Sequence, residues 1–120
     1  MKHSQFQVLV LEALAGLPQE FLDRIENVDV VVEQWPSAED LREAGVSSDE
    51  MLLGLYMGVP LTERDGYNMV LPDKITIYQR PIENECQTEA EVVKEVRGTV
   101  VHELAHHFGI DDDQLTEWGL

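Results

Sequence analysis

Between Val100 and Leu115 the chain reads VVHELAHHFGIDDDQL, and His102-Glu103-Leu104-Ala105-His106 within it has the form H-E-x-x-H. On a helix, residues four apart differ by about 40° around the axis and about 6 Å along it, so two imidazoles can converge on one tetrahedral ion. Glu103 stands about 100° from His102, beside such an ion rather than on it. There it can take a proton from metal-activated water and later return one to a leaving amine.

A catalytic zinc typically has three protein donors and one open position. Gly109 follows His106 by three residues and Asp112 follows Gly109 by three more. A glycine just past a helix can adopt the left-handed conformation that turns the chain back, which would carry Asp112 toward the histidines. Asp111, Asp112 and Asp113 are consecutive, however, and Asp-x-x-Gln over residues 111–114 could equally cap a final helix. Both roles coexist if Asp111 caps and Asp112 ligates. His107 points about 100° away from His106, which places it behind the site or on the surface.

The elements that must position these residues are legible from periodicity. A long helix from about Glu85 to Phe108 puts Glu95, Thr99 and His106 on the side of His102, with Val93, Val96, Val100, Leu104 and Phe108 opposite. One face packs and the other lines a cleft. Upstream, Phe6, Leu9, Val10, Ala13 and Leu14 mark a first helix, and Pro18 opens a second that ends near Asn27, giving a helical hairpin. VDVVVEQW at residues 28–35 reads as a strand, and Ser37 to Gly45 as a short capped helix. LLGLYMG at 52–58 reads as a strand whose glycines suggest an edge, and KITIYQRP at 74–81 as a strand stopped by its proline. DDDQLTEW closes the series as a last short helix. The order α-α-β-α-β-β-α-α predicts an α+β fold, and 120 residues suit a single domain spanning 1–120.

Composition excludes more than it identifies. Twenty-four acidic residues against eight basic ones give a formal charge of −16, which repels a phosphate backbone, so nucleic acid is not an expected partner. That charge and the glutamate at the second motif position also argue against a zinc-dependent RNA hydrolase. No apolar run is long enough to span a bilayer and the start does not resemble a secretion signal, which predicts a cytoplasmic protein. The lone Cys86 cannot form an internal disulfide and is expected as a partly buried thiol. His3 falls in a terminus expected to fray, without a role.

H-E-L-A-H-H-F-G-I-D-D-D resembles the metzincin pattern with aspartate in place of the usual third histidine. With LLGLYMGVPLTER at 52–64 and LPDKITIYQRPI at 71–82, it resembles the minimal zincin-like metallopeptidases over most of the chain from about Val28. The resemblance implies a pared-down zincin with a short mixed sheet of about three strands on the motif helix. It also implies Zn2+ held by His102, His106 and Asp112, Glu103 as general base, and a peptide or small protein as substrate. In larger zincins an edge strand above the metal pairs with the peptide; here residues 52–58 are the candidate, placing Tyr56, Gly58 and Arg64 near the cleft. Packing and turn formation are the competing roles for those three. Metzincins also carry a methionine-containing turn well downstream, whereas eight residues follow Asp112, so neither that turn nor a lower groove wall is expected. The main alternative is a non-catalytic zinc protein that acts through a partner.

Overall fold

The computed structural model describes residues 1–46, 51–58 and 73–117, with the side chain of Asp112 outside that description. Six helices and three strands occur among those residues: α1 (His3–Ala15), α2 (Gln19–Ile25), β1 (Val28–Glu33), α3 (Ala38–Ala44), β2 (Gly54–Met57), β3 (Asp73–Tyr78), α4 (Gln79–Asn84), α5 (Glu89–Phe108) and α6 (Asp112–Glu117). The three strands form a mixed sheet in the order β1-β3-β2, with β1 parallel and β2 antiparallel to the central β3. The α+β class therefore stands.

Alternation along β3 divides the interior in two. Ile75 and Ile77 are buried in the main core with Phe6, Leu9, Val10 and Ala13 of α1 and Val92, Val96, Val100 and Leu104 of α5. Tyr78 belongs instead to a smaller cluster with Leu52 and Leu55, against which Leu41 and Ala44 of α3 pack. Its hydroxyl donates to Asp40 at 2.9 Å, and Asp40 closes the capping box with Ser37 that starts α3. Burial first, then the Asp40 carboxylate, pushes the Tyr78 hydroxyl far above its ordinary value, so it remains a donor.

Several boundaries differ from expectation. The strand over 74–81 ends at Tyr78, and Gln79 begins a helix absent from the expected order. Pro81 lies in that helix's first turn, where its missing N–H leaves no intrahelical bond unmade. The motif helix starts at Glu89 rather than near Glu85, because the Thr88 hydroxyl accepts from the Glu91 N–H at 3.1 Å and caps it. The strand expected over 52–58 is regular only from Gly54 to Met57. The first two helices make their larger contacts elsewhere than with each other, α1 along α5 and α2 against β1. His3 lies within α1, its Nδ1 donating to the Gln79 side-chain oxygen at 3.2 Å, so that end is anchored rather than frayed.

Candidate metal centre

The H-E-x-x-H segment occupies the last turns of α5, whose buried side is Val92, Val96, Val100, Val101, Leu104 and Ala105. That apolar stripe turns the opposite face outward. His102 and His106 are exposed, Glu103 is half-buried, and all three line one cleft of about 380 Å³. Phe108 departs from the expected packing face: it is 39% exposed at the helix end, with the Arg24 guanidinium 5.1 Å from its ring centroid. The last residue of α5 has run past the core that buries Leu104.

Contact between β2 and α5 fixes the other side of the cleft. A Cβ on Gly54 would lie 2.6 Å from the Thr99 methyl and 3.1 Å from the Thr76 carbonyl oxygen, so only glycine allows this approach. Two residues along β2, the Tyr56 N–H donates to the Glu103 carboxylate at 3.4 Å. Its ring stacks on His107 with centroids 3.9 Å apart, and its hydroxyl donates to Asp73 at 2.7 Å. His107 thus packs on Tyr56 of the sheet edge and borders the same cleft that His102 and His106 line. Gly58 lies just beyond β2, where an added Cβ would sit 3.6 Å from the His107 ring.

Glu103 is subject to opposing influences. Burial raises its carboxyl above the ordinary value, while the Tyr56 N–H bond and the nearby charges of His102 and His106 pull the other way; burial prevails. A carboxylate partly withdrawn from water is a stronger proton acceptor than an exposed one. Its hydrogen bond also draws it toward the sheet edge. That geometry suits a proton-handling group better than a third ligand.

Past α5 the chain behaves as glycine chemistry requires. Gly109 adopts φ +67°, and the Ile110 N–H donates to the Ala105 carbonyl at 2.8 Å, closing a left-handed cap. Asp111 accepts from the Gln114 N–H at 2.8 Å and so caps α6, whose first residue is Asp112. Capping is thus carried by the residue beside the expected ligand. Among the described residues no three His, Cys, Asp or Glu side chains form a metal-binding group, a description that stops short of the Asp112 side chain. The donors that are described fit zinc chemically: two imidazoles one turn apart, open to a cleft, with a carboxylate alongside. Arg64, the remaining residue expected near the cleft, lies outside the described residues.

Sequence reasoning placed Tyr56 near the cleft but missed its contacts with Glu103 and His107 and its hydrogen bond to Asp73. The Tyr56–His107 stack depends on the antiparallel register that sets Tyr56 opposite Ile75, which no local pattern reports. Cys86 is half-buried as expected, and burial followed by the charges of Glu95, Glu91 and Glu85 raises its thiol, so it is no activated nucleophile. No described helix is long and apolar enough to cross a membrane.

A small α+β domain with an H-E-x-x-H helix beneath a mixed sheet has the layout of a zincin. The family model described as zincin-like metallopeptidase matches residues 25–120, and the chain belongs to that family. Among solved structures, a conserved hypothetical protein from Thermo thermophilus is similar in fold, with a TM-score of 0.58 over 90% of this chain and 94% of that one. At 23% identity it speaks to fold alone. No curated protein matches the sequence.

Proposed function

We propose that the chain is a zinc-dependent peptidase in which His102, His106 and Asp112 hold the metal and Glu103 is the general base. The observation that carries this is the convergence of His102, Glu103 and His106 on one cleft, with the Glu103 carboxylate half-withdrawn from water beside the two exposed rings. Membership of the zincin-like family agrees with it. A zinc ion, when bound, supplies Lewis-acid polarisation of a water and of the scissile carbonyl. Glu103 accepts the proton released as water attacks and delivers one to the departing amine. The Tyr56 N–H holds that carboxylate at the sheet edge meanwhile. Tyr56 and Gly58 border the substrate path on this reading, and Arg64 is assigned to it from sequence alone.

The test is metal content of the native chain and of His106→Ala, together with cleavage of a mixed peptide library by native and Glu103→Gln protein. The reading expects stoichiometric zinc that His106→Ala loses, and cleavage that Glu103→Gln loses while keeping its metal. Zinc uptake without cleavage by the native chain would instead favour a non-catalytic protein that acts through a partner.

A further inference from the structure

Two hollows flank Glu103. One, of about 380 Å³, has Ala44, Val46 and Leu55 as apolar wall and Glu43 as its charged residue, apart from the motif itself. The other, of about 410 Å³, has Met51 and Leu53 as apolar wall and Glu95 as its charged residue. They share Leu52, His102 and Glu103, so they are two halves of one groove that meet at the motif. No Lys or Arg lines either half among the described residues. The whole chain carries −16.

We infer that this groove takes an extended peptide bearing Lys or Arg side chains on both sides of the bond presented to Glu103. The inference rests on the peptidase reading and adds its substrate class. A lysine or arginine has an aliphatic stem that covers apolar surface and a charged head that stays hydrated. Each half of the groove offers both parts: an apolar wall for the stem and one carboxylate for the head. An acidic side chain would meet Glu43 or Glu95 with no Lys or Arg beside them among the described residues, and the field of the whole molecule would slow its approach. An uncharged aliphatic chain would use the wall and forgo the charge.

Binding to the zinc-supplemented Glu103→Gln chain separates this inference from turnover. Fluorescein-labelled alanine-rich peptides carrying two lysines, two norleucines or two glutamates at scanned spacings are titrated by anisotropy at low and physiological salt. The lysine peptide should bind tighter than the norleucine peptide by about twofold to fivefold per lysine, the range of an exposed ion pair, and the glutamate peptide weakest. Adding Glu43→Gln should erase the preference at one lysine position and Glu95→Gln at the other, while Glu12→Gln on the exposed side of α1 leaves both. Equal binding of lysine and norleucine peptides, no binding of any, or an equal loss from all three substitutions overturns the inference. Cleavage of the same peptides by the native chain tests the other reading: binding without cleavage removes the peptidase and leaves the groove's preference standing.

Discussion

Gln79, on the first turn of α4, and Glu103, near the end of α5, are both drawn into the body of the protein, and their surroundings use hydrogen bonds differently. Gln79 is fully buried and every valence of its amide is engaged. Its oxygen accepts from Gln34 at 3.1 Å and from His3 at 3.2 Å, and its nitrogen donates to the Met1 carbonyl and to Glu83, each at 3.0 Å. Arg80 extends the network to Gln34 and Glu83. Glu103 has one hydrogen bond among the described residues, at 3.4 Å, and the histidines on either side of it face an open cleft. Polar side chains thus form a closed network in one place and an open one in the other. Closed networks hold elements together; open ones keep capacity for something that binds.

Substitution at the two centres should separate stability from turnover. Glu103→Gln keeps an oxygen for the Tyr56 N–H and should leave thermal unfolding nearly unmoved, while peptide cleavage falls by about a hundredfold to ten-thousandfold, the usual contribution of general-base chemistry. Gln79→Ala should do the reverse. It strands a part-buried Met1 carbonyl and the partner groups of Gln34 and Glu83 and empties a fully buried position, costing about 1 to 3 kcal/mol of unfolding free energy in a denaturant titration, with zinc affinity unchanged. Loss of zinc binding in Gln79→Ala would mean that the two networks are coupled after all.

The contrast between them was only half legible beforehand. Four-residue spacing announces the open site, because both histidines must share a helix face, and the Gly109 cap follows from the conformation that glycine alone adopts freely. The closed network gives no such signal. His3 lies in α1, Gln34 just past the end of β1 and Gln79 in α4, joined because β1 and β3 pair in parallel with Glu33 opposite Tyr78, which brings their following residues together. Local pattern also read Pro81 as a strand stop, although the same ring is at home in a helical first turn. Strand order and register are tertiary facts, and the Tyr56–Glu103 contact depends on them. Helix type and apolar face are local facts, and α5 was accordingly readable to about one turn at its start.

Gly54 tests whether the open site depends on the sheet. The Thr99 methyl is β-branched and stiff and the Thr76 oxygen is backbone, so neither can yield cheaply to an alanine Cβ. Gly54→Ala should cost about 1 to 3 kcal/mol through overpacking and lift β2 from α5. Because that shift carries the Tyr56 N–H away from Glu103, turnover should fall further than the loss of folded protein explains. Shortening the obstructing side chain by Thr99→Ser should restore part of both. Rescue of stability without rescue of turnover would indicate that Glu103 acts independently of the sheet edge.

The smallest effect expected comes from acid titration of the closed network. Burial alone would raise the Glu83 carboxyl, but hydrogen bonds from Gln79 and Arg80, the Arg80 charge and the Met1 amino group together hold it below its ordinary 4.5. A group whose pKa is depressed by folding adds stability above its unfolded value, and that addition disappears as pH falls through the folded value. Glu83→Gln should therefore cost about 1 kcal/mol at neutral pH. The difference between native and variant should begin to shrink below 4.5 and close as Glu83 itself protonates in the native protein. Urea titrations of both proteins across the acid range measure it. Open and closed networks should respond differently here as well, since salt weakens exposed charge pairs far more than buried ones. Raising ionic strength should thus leave most of the neutral-pH difference between native and Glu83→Gln in place, and a difference abolished by salt would show that Arg80, at 40% exposed, and not the buried Gln79 amide, holds the carboxylate.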